Sequence, residues 1–182
     1  MIKSKTIPIE NIDDILGRMV EEIVKTREAN VNTLAVIGIK TGGATLAQKL
    51  VRMLTKKTGI EHPLGLLDIT LYRDDIGESF PQPVVKTTEV DFDVSGKEIV
   101  LIDDVIFTGR TIRAALDSIM DLGRPSGITL AVMVDRGHRE LPIQPDITGL
   151  YIDTKYGDRI EVLFEESGKP TKLNFISKTI LD

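Results

Sequence analysis

Two adjacent carboxylates stand where the chain could do chemistry. Asp103 and Asp104 directly follow the apolar run of residues 99–102, which predicts a buried strand. A short turn then opens a predicted helix, and this turn contains two hydroxyl side chains and a glycine: Thr108, Thr111 and Gly109. The chain thus places two acids at a strand end and a polar helix start a few residues later.

The two halves of this segment favour different parts of a ligand. The free N–H groups and the dipole at a helix N-terminus attract phosphate, and the hydroxyls of Thr108 and Thr111 would complete such a cradle. Carboxylates repel phosphate, so Asp103 and Asp104 must face sugar hydroxyls or a divalent cation. The segment therefore predicts a ligand with a phosphate at one end and a diol or metal nearby. Acidic strand ends before capped helices also occur in ordinary folds, and the pattern alone leaves that alternative open.

The surrounding segments alternate between strand and helix patterns. Apolar runs predict strands at residues 33–39, 64–71, 98–102 and 128–134, and helical spacing predicts helices at residues 9–30, 44–57 and 110–122. This alternation predicts right-handed βαβ units and a parallel sheet. Shorter segments follow at residues 148–153, 160–164 and 173–176. We expect one domain, with a core at about residues 9–149 and an antiparallel addition at residues 150–182.

Three loops follow predicted strands at the same edge of this sheet. They are Lys40–Gly43, Asp103–Gly109 and Asp135–His138. Ligands of open parallel sheets bind beyond the carboxyl ends of the strands, so these loops are expected to converge on one crevice. Residues 76–83 contain glycine, serine and two prolines, which predicts an exposed, mobile loop.

The composition excludes several classes of function. The 182 residues carry a formal net charge of −5, which excludes a globally basic nucleic-acid coat, and we expect no DNA partner. The chain has no cysteine, so neither a disulfide nor a thiolate nucleophile is possible. No apolar run approaches the roughly 20 residues that span a bilayer, and the first residues do not resemble a secretory signal. We therefore expect a cytoplasmic protein without a membrane partner.

The segment VLIDDVIFTGRT resembles the phosphoribosyl-pyrophosphate (PRPP) signature of type I phosphoribosyltransferases. Four segments narrow the resemblance to the PyrR family, which combines pyrimidine-operon attenuation with uracil phosphoribosyltransferase activity: GIKT, DITLYRDD, TGRTIRAALD and LAVMVDRGHRELPI. The resemblance implies the type I phosphoribosyltransferase fold, an α/β fold with a central parallel sheet flanked by helices. It also implies the reaction of uracil with PRPP to give UMP and pyrophosphate, and a homodimer or higher homo-oligomer.

The resemblance further implies a role for each matching residue. Asp103 and Asp104 would hold the ribose hydroxyls and contact Mg²⁺ only indirectly, through substrate and water. Arg73 is a further candidate catalytic residue on its residue type and its place beside the predicted mobile loop, since a guanidinium can neutralise pyrophosphate oxygens; the alternative is that it pairs with Asp74 or Asp75. The 5′-phosphate would be bound by Val105, Ile106, Phe107, Thr108, Gly109, Arg110 and Thr111. The pyrophosphate would meet Lys40, Thr41 and Gly42, and the uracil would lie beside Arg136 and Gly137.

The chain departs from the family pattern at two kinds of position. Gly42 stands where the family usually has arginine, which should weaken pyrophosphate contacts or move them to another residue. RNA-binding members also carry a threonine and a histidine where this chain has Gly17 and Glu21, and an arginine and a lysine where it has Gln144 and Leu150. A carboxylate repels RNA backbone.

An mRNA leader would then have to use the cations that this chain retains. The candidate RNA-binding residues that remain are Arg18, His138 and Arg139, and we expect His138 and Arg139 to face solvent or a partner rather than the reacting atoms. The alternative is an RNA face that uses other cations, such as Arg18, Lys25 and Arg27. Two alternatives stay open beside the uracil transferase. One is a weakly catalytic or non-catalytic attenuator that senses UMP and binds RNA, and the other is a transferase for orotate or a purine.

Overall fold

The computed structural model describes residues 2–72 and 88–178, which form two sheets and three α-helices. In chain order the elements are β1 (Ile2–Pro8), α1 (Ile12–Thr26), a 3₁₀ helix (Glu28–Thr33), β2 (Leu34–Ile39), α2 (Gly42–Thr58), β3 (Leu64–Leu67), a 3₁₀ helix (Thr70–Tyr72), β4 (Glu98–Ile106), α3 (Arg110–Leu122), β5 (Gly127–Asp135), β6 (Ile147–Tyr151), β7 (Arg159–Phe164) and β8 (Pro170–Lys178). Among these residues no helix combines the length and the apolar character needed to cross a membrane.

The central sheet is parallel throughout, in the order β3-β2-β4-β5-β6. Every residue of β2 is buried, as expected for a strand covered on both faces. One face packs against α1 and α2 through a core that includes Leu16, Ile23 and Leu50. The other face packs against α3 through Ile112 and Ile119. The predicted parallel sheet flanked by helices is therefore confirmed.

The second sheet is small and antiparallel, in the order β1-β8-β7. It packs on the α1 and α2 side through Ile160, Val162 and Leu173. The sequence does not predict β1, because this segment is polar and its partner β8 lies more than 160 residues further along the chain. An edge strand of this kind is defined by its pairing, not by a local apolar pattern.

Several predicted elements differ in extent from the observed ones. The segment predicted as 148–153 forms β6, which pairs parallel to β5 and extends the main sheet, so its assignment to an antiparallel addition was wrong. The first helix ends at Thr26 and gives way to the 3₁₀ helix before β2. The strand β4 continues to Ile106 because the nine-residue β5 offers it a partner over that length. Asp103 and Asp104 consequently lie within a strand, not in the loop after it.

A buried polar network fixes the opposite end of the sheet. Glu98, at the start of β4, is 5% exposed and accepts hydrogen bonds from the Ser126 hydroxyl at 2.9 Å and the Asn30 amide at 3.3 Å. Arg27 lies 3.1 Å from Glu98 and donates to the Thr129 hydroxyl at 2.7 Å. The network joins the segment after α1 to the N-terminal ends of β4 and β5, away from the loops that could bind a ligand.

Candidate active site

The candidate site is a cleft of about 640 Å³ at the carboxyl ends of the parallel strands. Residues that follow β2, β4 and β5 line it, among them Lys40, Phe107 and Arg136. Residues 158–161, at the start of β7, also line it. The three loops that the sequence places at one edge of the sheet thus all reach this cleft, and the small sheet contributes a wall that the sequence does not predict.

The acid pair lies on β4 at the floor of the cleft. Asp103 is buried, Asp104 is half-buried, and the Asp104 backbone N–H donates to Asp103 Oδ1 at 3.0 Å. Burial raises the pKa of Asp103 well above its usual value, and the neighbouring charge of Asp104 raises it further. A buried carboxyl group beside a second one is stabilised when a ligand donates hydrogen bonds to it or brings a cation. This environment suits the hydroxyls of a sugar.

The loop after β2 begins with a lysine that already has an acidic partner. Lys40 Nζ lies 2.6 Å from Glu89 Oε1, and the Lys40 backbone N–H donates to the Leu67 carbonyl at 2.9 Å. Glu89 is held in place by backbone hydrogen bonds in both directions with Leu66, each of 2.8 Å. The Lys40–Thr41 peptide bond is cis. A second anion arriving at this loop would compete with Glu89 for the ammonium group.

The segment after the acid pair leads from the end of β4 into α3. Val105, Phe107 and Thr111 line the cleft, and Gly109 has φ 93°, a left-handed conformation that favours glycine. The Thr108 carbonyl accepts hydrogen bonds from the backbone N–H groups of residues 140 and 141. Ile106 is 2% exposed and packs in the core on the α3 side, so only its backbone can reach a ligand. Arg110, at the first position of α3, has its Nε 2.6 Å from a carboxylate oxygen of Glu140.

Arg136, predicted beside the uracil, is buried and holds the segment before β7. Its guanidinium lies 3.9 Å from the centre of the Phe107 ring and donates to the Thr154 hydroxyl and to the carbonyls of Lys155 and Tyr156, at 3.2, 3.0 and 3.2 Å. Burial lowers the pKa of Arg136. Its hydrogen-bonding groups thus fix the wall of the cleft, and Gly137, with φ 74°, turns the chain after it.

His138 and Arg139, which we expected to face solvent or a partner rather than the reacting atoms, are both partly buried, and neither lines the cleft. The Arg139 side chain is 11% exposed, pairs with Asp135 at 2.6 Å and donates to the carbonyls of Phe107 and Ile143, each at 2.9 Å. His138 Nε2 lies 2.6 Å from the Thr154 carbonyl and must carry a proton to donate to it. Both side chains tie loops together, because the Thr154 carbonyl bound by His138 and the Phe107 carbonyl bound by Arg139 belong to segments distant in sequence. Arg18, by contrast, is exposed on α1.

Three acids that the sequence analysis did not single out line the cleft: Asp68, Asp158 and Glu161. Asp68 directly follows β3 and accepts hydrogen bonds from the Thr70 N–H at 2.9 Å and the Thr70 hydroxyl at 2.6 Å. Asp158 precedes β7, and hydrogen bonds from the Ser177 hydroxyl and the Lys155 N–H lower its pKa. Asp68 has the same signal as Asp103, an acid after an apolar run. Asp158 has none, because its position depends on the small sheet.

Two predictions concern residues that lie outside the described part of the chain. These are the catalytic role of Arg73 and the exposed loop at residues 76–83. Among the described residues, no three histidine, cysteine, aspartate or glutamate side chains are grouped so that they could hold a metal ion.

Comparison with known proteins assigns the family. Residues 8–161 match the phosphoribosyl transferase domain family. Proteins named bifunctional protein PyrR are similar over most of the chain. The one from Thermoanaerobacter sp. (strain X514) is 45% identical over 97% of this chain and 99% of its own length, and the one from Geobacter sp. (strain M21) is 50% identical over 87% and 89%.

Solved structures share the fold at low sequence identity. A hypoxanthine phosphoribosyl transferase of Trypanosoma cruzi has a TM-score of 0.66 at 16% identity and covers 82% of this chain and 78% of its own. A hypoxanthine-guanine phosphoribosyltransferase of Bacillus anthracis has a TM-score of 0.63 at 16% identity, over 84% and 85%. At this identity the structures support the fold, whereas the curated relatives and the matched domain define the family. The chain belongs to the PyrR family of phosphoribosyltransferases.

Proposed function

We propose that the protein transfers the phosphoribosyl group of PRPP to uracil, giving UMP and pyrophosphate. The observation that carries this proposal is the cleft that contains both the acid pair of β4 and the N-terminus of α3. Such a site offers carboxylates to a sugar diol and backbone N–H groups to a phosphate. The lysine loop after β2 borders the same cleft and offers a cation to a second phosphate group.

The chemistry needs positioning and charge stabilisation more than a nucleophile. The bond between the anomeric carbon and a pyrophosphate oxygen breaks, the bond to N1 of uracil forms, and the N1 proton is released. Asp103 and Asp104 hold the ribose hydroxyls and stabilise the positive charge that develops on the sugar. Lys40 and Thr41 bind the leaving pyrophosphate, and the backbone of residues 107–111 holds the 5′-phosphate.

Mg²⁺ fits this site as a partner of the substrate. Asp68, Asp103 and Asp104 line the cleft with oxygen ligands of the kind that Mg²⁺ prefers, yet the described acids do not form a closed metal cage. We infer that these acids would hold Mg²⁺ only indirectly, through substrate and water, and that the ion, when bound with PRPP, would supply positive charge to the pyrophosphate. The residues themselves act by orienting the sugar.

The charges near Arg136 favour a neutral base. The guanidinium of Arg136 is committed to the segment at 154–156, and the ionised carboxylate of Asp158 lines the cleft. Orotate carries a carboxylate that Asp158 would repel, whereas uracil has no charge and offers N–H donors. This arrangement supports uracil over orotate and leaves a neutral purine to be decided by assay.

The test of the transferase is turnover of labelled uracil with PRPP and Mg²⁺, beside orotate and hypoxanthine. We expect UMP from uracil alone, and Asp104→Asn should lose turnover while the protein stays folded by circular dichroism. Turnover of hypoxanthine or orotate in place of uracil would reassign the base. Full activity of Asp104→Asn would refute the role of that carboxylate in holding the sugar.

A second, regulatory role is proposed because the relatives are named bifunctional proteins. It would consist of UMP-dependent binding to an mRNA leader. On α1, Glu21 is exposed and pairs with Lys57 of α2 at 3.0 Å, so this face offers RNA less free positive charge than the family pattern. Glu21→His should strengthen RNA binding in a gel-shift assay with UMP, and an unchanged affinity would show that RNA does not use this face.

The cellular location, the assembly state and the domain organisation of the protein are also proposed. Because PRPP is an intracellular metabolite, we propose a cytoplasmic location. The family resemblance supports a homodimer or higher homo-oligomer, which light scattering would test. It also supports one phosphoribosyltransferase domain for the whole chain, which predicts a single cooperative unfolding transition.

A further inference from the structure

Gly42 and Asp104 are in direct contact at the start of α2. A Cβ atom on residue 42 would fall on the Asp104 carboxylate, closest to its Oδ2. Gly43 differs, because a Cβ atom there would meet the backbone of β4, 2.5 Å from the Ile102 carbonyl and 2.8 Å from Asp103 Cα. The packing of α2 on β4 therefore requires Gly43 itself. Gly42 is required only while the Asp104 side chain keeps its present orientation.

The first turn of α2 favours a carboxylate at this place. A helix N-terminus carries partial positive charge from its unpaired N–H groups. The first turn of α2 contains no acidic residue, and the Thr41 side chain makes no capping hydrogen bond to it. The Asp104 carboxylate lies against this first turn from the neighbouring strand, where its negative charge interacts favourably with the helix dipole. Gly42 also has no left-handed backbone conformation, so a larger residue is opposed there by Asp104 alone.

We propose that Gly42 gives the Asp104 carboxylate a resting position over the first turn of α2, which Asp104 leaves in order to hold the ribose of PRPP. This inference rests on the proposed function, in which Asp104 binds the ribose hydroxyls. Gly42 is then a positioning residue that acts on the ligand through Asp104. A side chain at position 42 closes the resting position, so that the carboxylate no longer has to leave α2 when PRPP binds.

The first test uses the ligand-free protein and a double-mutant cycle. Alanine is normally more favourable than glycine in a helix. In the Asp104→Ala background, Gly42→Ala should therefore raise the urea midpoint of unfolding slightly. With Asp104 present, the same change displaces the carboxylate from α2, and this gain should be reduced or reversed. Equal effects in the two backgrounds would overturn the proposal, because they would show that residue 42 does not act through Asp104.

The second test measures binding of PRPP with Mg²⁺ by calorimetry, without a base. A charge near a helix terminus contributes an amount that corresponds to about a two- to five-fold change in affinity, so Gly42→Ala should bind PRPP more tightly by about that factor. The matched control is Gly17→Ala, a helical glycine on α1 with no atom within 4 Å of the added Cβ, which should leave PRPP affinity unchanged. Unchanged or weaker binding by Gly42→Ala would overturn the proposal.

The two tests separate this proposal from the proposed function. If the unsubstituted protein fails to bind PRPP, the proposed function is refuted, together with the part of the inference that concerns the ligand. The unfolding cycle needs no ligand and still decides whether Asp104 rests on α2.

Discussion

Replacing Asp103 by asparagine should stabilise the protein and inactivate it. Asparagine has the size of aspartate and keeps an oxygen that can accept the 3.0 Å hydrogen bond from the Asp104 N–H. The substitution therefore removes the charge of a buried carboxyl group and little else. Burial and the charge of Asp104 raise the pKa of Asp103, which means that the folded protein disfavours its ionised form.

The substitution should stabilise the protein because the folded state disfavours the charge of Asp103. Removing a strained charge from a functional site commonly stabilises a protein by about 1–2 kcal/mol. For a chain of this length, each kcal/mol raises Tm by about 2–4 °C, so Asp103→Asn should melt about 2–8 °C higher at neutral pH. Turnover should fall by about 100-fold or more, since a group that stabilises charge in the transition state is lost.

The pH dependence of the stability difference tests whether the charge of Asp103 is its cause. Because the folded pKa of Asp103 lies above the unfolded one, its contribution to stability is fully present below the unfolded pKa and is lost as pH rises through the folded pKa. The difference between Asp103→Asn and the unsubstituted protein should therefore be larger at pH 8 than at pH 4.5, as measured by urea unfolding at each pH. Asp93→Asn is the control of opposite sign, because hydrogen bonds from Ser95 lower the pKa of Asp93. The contribution of Asp93 to stability is therefore present above its unfolded pKa and is lost as the pH falls through its folded pKa.

Two results would contradict the claim that the folded protein disfavours the charge of Asp103. If Asp103→Asn were less stable than the unsubstituted protein at pH 8, the carboxylate would be stabilising the fold and the pKa of Asp103 would not be raised by its surroundings. If the gain were the same at both pH values, it would come from packing and not from the charge.

Two further predictions concern other ion pairs of the molecule. Glu89→Gln should lower the KM for PRPP about two- to five-fold, because the partly exposed pair with Lys40 is worth less than about 1 kcal/mol and pyrophosphate would no longer have to displace it. Steady-state kinetics would measure this, with Asp91→Asn at an exposed position as the control that makes the same charge change. A higher KM in Glu89→Gln would instead show that Glu89 orients Lys40 for binding. Arg27→Met should destabilise the protein by about 3 kcal/mol in urea unfolding, because it leaves Glu98 buried without its cation. A change in the KM for PRPP would contradict the purely structural role of the network around Glu98.

The main sheet could be predicted because its strands carry their own signal. The apolar runs of β2 and β5 are long, buried on both faces and bounded by helical patterns, so local sequence and tertiary packing favour the same state. The same holds for α3, whose predicted and observed bounds coincide at Arg110 and Leu122. The acid pair could be identified because it directly follows one of these runs.

The elements that the sequence could not predict are those whose state depends on distant partners. In β6 only Ile147 is fully buried, and nothing in five residues indicates whether the strand pairs parallel to β5 or joins the small sheet. Asp158 reaches the cleft because β7 pairs with β8. Arg139 donates to the carbonyl of Phe107, 32 residues earlier in the chain, and a local pattern does not contain this partner.

The ion pairs around the cleft indicate how a ligand could gain affinity there. The positive groups already have partners: Lys40 pairs with Glu89, and Arg136 binds the segment before β7. Asp103 differs, because its surroundings disfavour its charge. A ligand that donates hydrogen bonds to this carboxylate relieves that cost, whereas an anion must first displace Glu89 from Lys40. The site thus favours a ligand that contains both a diol and a phosphate. The favourable free energy of the hydroxyls binding Asp103 offsets the free energy that the phosphate requires to displace Glu89 from Lys40.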